Sequence, residues 1–235
     1  MEAKIMKESK EFIMSVEGEN CENLYFRHLA KLINNSERNR YNLSVDPKKT
    51  SPLKMAKRVG YKRQFSKLPF VHIQDIEDYY DDYQKSKFYS LINDLREAEE
   101  LLETSYELGY SNYTFELWML LHVADMNYSV ASRDKYLEPI KKWFNRDYKN
   151  IGEFKAEIEF QSILDSYVTL DSVSSAIKRA EKIVREKDGK GLEEYKGFKF
   201  YHDNPDLTVH MVVKKILNAC MEKEWLKQKG ILFEK

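Results

Sequence analysis

Cysteine is scarce. Cys21 and Cys220 are the only two in 235 residues, too few for a disulfide framework and suited to a reducing compartment. Neither stands in a Cys-x-x-Cys or Cys-His spacing, which excludes the usual structural zinc site. Net charge is missing too: 39 basic side chains balance 39 acidic ones, so the whole molecule has no general pull toward nucleic acid, although a local basic patch remains open. No apolar run approaches the ~20 residues that span a bilayer. The first eleven residues are charged and hold no apolar leader core, so a soluble, cytoplasmic protein without membrane attachment is expected. There is no Gly-x-x-x-x-Gly-Lys-Ser/Thr loop, which removes that route to ATP, and no Gly-x-Ser-x-Gly or His-Glu-x-x-His motif. Any chemistry must rest on carboxylates.

What is present suits a packed α/β protein. Hydrophobic residues make up 42% of the chain, enough for a core, and no internal repeat interrupts it. Residues 11–16 read as a strand, and 22–34 as a helix with Leu24, His28, Leu29, Leu32 and Ile33 on one face. Residues 41–45 read as a strand, 52–59 as a helix opened by Pro52, and 68–73 as a third strand. This alternation predicts a parallel sheet with helical crossovers. An acidic loop, 75–82, leads into a helix reaching Leu102, and 105–110 read as a fourth strand. Residues 115–122 form the densest apolar run, read as a buried helix capped by Ser111, Asn112 or Thr114.

After Asn127 the texture becomes helical, over 136–143, 154–164, 173–185 and 207–221. A flexible loop at 189–191 and a short strand at 197–201 interrupt it. The organisation expected is an α/β domain over 1–126, with a parallel sheet flanked by helices, and a mainly helical extension over 127–235 packed on it.

Two acidic turns carry the chemistry. The first apolar run ends at Glu17-Gly18-Glu19, the second at Asp75-Ile76-Glu77-Asp78. Ligand chemistry in an α/β fold collects beyond the carboxyl ends of parallel strands. Neighbouring strands would bring Glu17, Asp75 and Glu77 together, and clustered carboxylates repel unless a cation sits among them. Oxygen-only ligands suit Mg²⁺ or Mn²⁺. The alternative is surface acids and helix caps, and for Glu19 and Asp78 the two readings stand level. Glu22 lies in a first helical turn, where an acid offsets the dipole. Glu116, inside an apolar run, is either a paired core residue or part of the site. His122 is either a core or capping histidine or a contact to substrate. Ser111 and Asn112 either face the cleft or cap the helix. Lys54, Lys57, Arg58, Lys62 and Arg63 form the best basic patch, either a phosphate-backbone surface or a solvated face. Tyr79, Tyr80 and Tyr83 read as packing, with base stacking as the alternative.

Three blocks, in order, carry a family resemblance. They are Val16-Glu17-Gly18-Glu19 followed by Glu22 and Tyr25-Phe26; Ser111-Asn112-Tyr113-Thr114-Phe115-Glu116-Leu117-Trp118-Met119-Leu120-Leu121-His122; and Asn204-Pro205-Asp206-Leu207-Thr208-Val209-His210. Together they resemble RloB-like proteins over nearly the whole chain. That family is similar to Toprim domains, the metal-binding fold of bacterial primases, topoisomerases and overcoming-lysogenization-defect nucleases. The resemblance implies a Toprim-like sheet, with Glu17 as the glutamate after the first strand. Asp75 and Glu77 match the later Asp-x-Asp, with glutamate in place of the second aspartate and Asp78 next to it. It also implies a Mg²⁺- or Mn²⁺-dependent nuclease in phage defence, acting on DNA or RNA, tRNA included, beside an ATPase partner. The rival expectation is a non-catalytic Toprim-like interaction or regulatory subunit.

Overall fold

The computed structural model describes residues 7–60, 69–187, 189 and 191–233. Strand β1 (Ser9–Val16) leads into helix α1 (Cys21–Asn34), then β2 (Asn42–Val45), the short β3 (Lys48–Lys49), α2 (Pro52–Gly60), β4 (Phe70–Ile76), α3 (Asp82–Leu102) and β5 (Tyr106–Asn112). β1, β2, β4 and β5 are alternating or continuous apolar runs, β3 is two lysines held against β1, and each helix carries its apolar residues on one side. α3 begins where the Asp81 side chain accepts a hydrogen bond of 2.9 Å from the Gln84 N–H.

The sheet runs β2-β1-β4-β5-β8, with β3 also against β1. All pairings among β1 to β5 are parallel. The expected α/β architecture, a mostly parallel sheet flanked by helices with a mainly helical C-terminal part, is the one found.

The two faces of the sheet have separate cores. Phe12, Met14, Val16, Val71 and Ile73 face the larger one, shared with α1 and most of the C-terminal helices. Phe70, Ile76, Tyr106, Leu108 and Tyr110 face the smaller one, with Ala56 of α2 and Phe88, Ile92 and Leu95 of α3. This alternation follows from the two-residue period of a strand.

The C-terminal part holds α4 (Glu116–Leu121), a 3₁₀ turn (Arg133–Tyr136), α5 (Leu137–Phe144), α6 (Ile151–Phe154), α7 (Glu157–Tyr167) and α8 (Leu170–Glu186). A hairpin of β6 (Leu192–Tyr195) and β7 (Phe198–Tyr201) follows, then β8 (Asp206–Leu207), α9 (Val209–Cys220) and α10 (Lys223–Lys229). Strands are therefore less sparse here than the sequence suggests. The helix expected over 207–221 begins two residues later, because Asp206 and Leu207 pair antiparallel with Asn112 and Ser111 and extend the sheet. The helix expected over 154–164 is broken at Lys155 and Ala156. α9 lies close on β5 at Gly109, where a β-carbon would press against the Ile73 side chain and the Val209 backbone. Among the described residues no helix is long and apolar enough to cross a membrane.

Candidate functional site

β1 and β4 end side by side. Val16 is in register with Ile73, and the Glu17 N–H continues the ladder to the Ile73 carbonyl at 3.0 Å. This brings the acid after β1 against the last residues of β4. Glu17 Oε2 accepts from the Asp75 N–H at 3.2 Å and from the Gln74 amide, and Glu17 Oε1 pairs with Lys87 of α3 at 3.0 Å. Burial pulls the Lys87 pKa down, but the Glu17 hydrogen bond and the charges of Glu17 and Glu77 outweigh it, and the net direction is up.

Asp75 lies within β4 rather than beyond it, paired in register with Ser111. It shares the face of Val71 and Ile73 and is directed toward the larger core. Its Oδ2 accepts from the Thr114 hydroxyl at 3.2 Å, and its Oδ1 is buried without a hydrogen-bond partner among the described residues. Its pKa is raised well above the ordinary carboxylate range. Burial is the largest cause, followed by the negative charge of Glu22, with Glu17 adding; Lys155 and Arg133 oppose.

Glu22, in the first turn of α1, is buried and its pKa is likewise raised, chiefly by burial. Its own backbone N–H and Lys155 work against the shift, Glu17 adds to it, and Arg133 opposes. Glu22 fits there because residue 18 is glycine: a β-carbon at that position would overlap the Glu22 carboxylate. Glu116, at the start of α4, is 1% exposed. Its Oε2 accepts from Thr114 and its Oε1 pairs with Lys155 at 2.7 Å. The Thr114 hydroxyl thus sits between two carboxylates with one proton to give.

The residues expected to meet do so in part. The Glu17 carboxylate meets Asp75 at its backbone N–H, while the Asp75 carboxylate turns to Thr114 on the other face of the sheet. Glu77 instead pairs with Arg133 at 3.6 Å, and Asp78 accepts from the Tyr80 N–H at 3.1 Å. Both acids line a cleft with Asp81, Tyr113 and Arg133. Glu19 is exposed and pairs with Lys49 at 3.1 Å. Asn112 is buried and donates to the carbonyls of Tyr201 and His202 at 3.3 and 2.7 Å, tying β5 to the end of β7. Helix α4 receives no side-chain cap from Ser111, Asn112 or Thr114, since the Thr114 hydroxyl goes to the carboxylates instead.

His122 is packed in the larger core. Its ring bonds the Trp118 carbonyl at 3.0 Å and the Tyr25 hydroxyl at 3.2 Å, and burial pushes its pKa down to about 4. Of the tyrosines, Tyr79 is buried, while Tyr80 and Tyr83 are 68% and 73% exposed. Lys57 of the basic helix pairs with Glu97 at 3.8 Å, and Arg58 lines a pocket with Glu11, Asp46 and Lys48. Lys54, on the same helix, is exposed. Lys62 and Arg63 lie outside the described residues.

Sequence reasoning passed over Gln74, Lys87, Arg133 and Lys155, and read Thr114 only as a candidate helix cap. For Thr114 a signal existed: a hydroxyl two residues before an acid at the head of an apolar helix. Lys155 had none, because its inward turn depends on the break between α6 and α7. Among the described residues, no three His, Cys, Asp or Glu side chains already stand as a metal-holding group. The acidic donors at this edge are all oxygen, the type a hard divalent ion takes, and they include the buried Asp75 Oδ1, which has no hydrogen bond among the described residues.

A family model described as RloB-like protein matches residues 12–216, a span that contains every residue of this acidic edge. No curated protein and no solved structure matches the chain. With most of its length covered by that one match, the chain belongs to the RloB-like family.

Proposed function

We propose that this protein is a Mg²⁺- or Mn²⁺-dependent nuclease of Toprim type that hydrolyses phosphodiester bonds of DNA or RNA, tRNA included, in anti-phage defence. The observation that carries this reading is the Asp75 carboxylate. It stands half-buried at the carboxyl end of a central parallel strand, its backbone N–H bonded to Glu17, with its Oδ1 fully buried and lacking a hydrogen bond among the described residues. Burying a carboxylate in that state is costly, and a bound cation offsets the cost.

Glu17 and Asp75 would hold the ion, with Glu77 and Asp78 at the neighbouring cleft. A divalent ion there supplies Lewis-acid polarisation of a phosphoryl oxygen and acidifies water. Glu17, whose side chain is 28% exposed, would be the carboxylate to take a proton from water or return one to a leaving oxygen. Lys155 and the Thr114 hydroxyl hold Glu116 and Asp75 in place. Lys87 and Arg133 would offer positive charge to a phosphate at the same edge, and Lys54, Lys57 and Arg58 of α2, with Lys62 and Arg63 following in the sequence, would serve the backbone of a longer nucleic acid. The family resemblance supports an ATPase partner that governs activity. Two free, buried cysteines suit a cytoplasmic setting.

A second reading, a non-catalytic interaction or regulatory subunit, is favoured by a different observation: Glu17 and Glu77 each already carry an ion pair, with Lys87 and Arg133. One experiment separates the two. Purified protein is incubated with plasmid, single-stranded DNA and total tRNA in Mn²⁺, beside Asp75→Asn and Glu17→Gln, and Mn²⁺ binding is measured in parallel. Cleavage and binding that both variants abolish support the nuclease. A wild type that neither binds Mn²⁺ nor cuts any of the three belongs to the second reading.

A further inference from the structure

Glu17 is the last member of a run of side-chain hydrogen bonds that starts inside the smaller core. Ser15 and His72 are register partners across β1 and β4, both buried and both on the face covered by α2 and α3. Tyr106 of β5 is buried beside them, its hydroxyl 2.8 Å from Ser15 Oγ. Ser15 Oγ is 2.8 Å from His72 Nδ1, and His72 Nε2 is 3.1 Å from Gln74 Oε1. The Gln74 amide nitrogen then meets Glu17 Oε2.

The proton positions along this run follow from its outer end. A carboxylate paired with Lys87 only accepts, so Gln74 must face Glu17 with its NH₂; the opposite amide orientation would set two acceptors against each other. That leaves Gln74 Oε1 toward His72, so His72 Nε2 must carry the proton. Burial keeps the ring neutral, with its pKa down at about 4, and Nδ1 is then a bare acceptor. Ser15 has two acceptors in reach, Nδ1 at 2.8 Å and the Val71 carbonyl at 3.4 Å; it gives its one proton to the nearer, bare Nδ1, and Tyr106 then donates to the Ser15 oxygen. In this arrangement no link is left with two donors or two acceptors face to face.

We infer that His72 and Gln74 are positioning residues that aim the Glu17 carboxylate at the acidic edge, with His72 held as the Nε2–H tautomer by Ser15 and Tyr106. The inference rests on Glu17 and Asp75 being the working site. Side chains one step removed from a metal ligand act this way, by fixing its orientation, and their loss weakens metal affinity about 10- to 100-fold.

The test uses calorimetric titration with Mn²⁺ on the wild type, Gln74→Met and Gln74→Glu. Nitrogen-15 spectra of His72 and urea midpoints are recorded on the same samples. Gln74→Met, similar in size but without the amide, is expected to lose about tenfold or more in Mn²⁺ affinity with its urea midpoint near that of the wild type. Gln74→Glu is expected to lose more, because it sets acceptor against acceptor, although charge counting alone predicts tighter binding. Unchanged affinity in Gln74→Met, or tighter binding in Gln74→Glu, overturns the inference. The spectra test it independently of the metal. The Nε2–H tautomer in the wild type supports it, and an Nδ1–H tautomer overturns it even if the wild type takes up no Mn²⁺. In that last case the metal reading fails on its own account.

Discussion

Lys155→Met probes the charge balance of the acidic edge directly. Lys155 sits at the break between α6 and α7, 26% exposed, and reaches Glu116, which is 1% exposed, at 2.7 Å. It also opposes the raised pKa values of Asp75 and Glu22. Methionine keeps the length and the apolar stem but removes the cation. Removing one partner of a buried pair costs about 3–5 kcal/mol, and solvent screening of a quarter-exposed ammonium brings the expected cost to about 2–3 kcal/mol at pH 7. In urea this moves the unfolding midpoint down by roughly 1 M at an unchanged slope.

The pH dependence gives the stronger check. Asp75 and Glu22 have folded pKa values above their unfolded ones, so the native state binds more protons in the window above the ordinary carboxylate range. Stability from these groups therefore falls as pH rises through that window. Without Lys155 both values climb further, and the variant should lose most at pH 7–8 and little near pH 5. Adding Glu116→Gln should recover much of the loss, since the orphaned charge goes with it. A variant as stable as the wild type at pH 7, or equally damaged at pH 5 and pH 8, would refute this account of the cluster.

Three buried histidines set the opposite limb. His72, His122 and His210 each have their pKa pushed down to about 4, chiefly by burial, so the unfolded chain binds more protons between about 6.5 and 4. Stability from them is complete above that window and is lost as pH falls through it, at most about 3 kcal/mol each. His122→Gln should flatten the acid limb of a stability–pH curve by one histidine's share; an unaltered limb would show that His122 is not held neutral. Gly18→Ala places a β-carbon on the buried Glu22 carboxylate and is expected to cost about 1–3 kcal/mol. That cost should largely vanish in a Glu22→Ala background, and strict additivity of the two changes would argue that they do not meet.

The strand–helix alternation of the first half was legible because hydrophobic period is local. The run Phe70-Val71-His72-Ile73 could be read as a strand without knowing its neighbours, and so could the turn at Glu17-Gly18-Glu19. Where that strand ends was not legible. Asp75 looks like a loop acid, yet it pairs with Ser111 and stays in β4 because β5 runs alongside as far as Asn112. Asp206 and Leu207 resemble the start of a helix, and only the open edge of β5 makes them a strand. His122 was open in sequence between core and site, and its bonds to Trp118 and Tyr25 put it in the core.

From the amino-acid sequence alone come the parallel α/β architecture, the family, and the placing of Glu17 and Asp75 at the ends of neighbouring strands. These need only strand periodicity and the rule that neighbouring parallel strands finish together. Tertiary structure decided which charges surround that pair. Lys155 and Arg133 come from far along the chain, Glu22 is buried by Gly18, Thr114 turns from cap to bridge, and Glu77 is drawn off to Arg133. Such contacts depend on how helices pack across the ends of the strands, and periodicity reports only which side of an element faces inward.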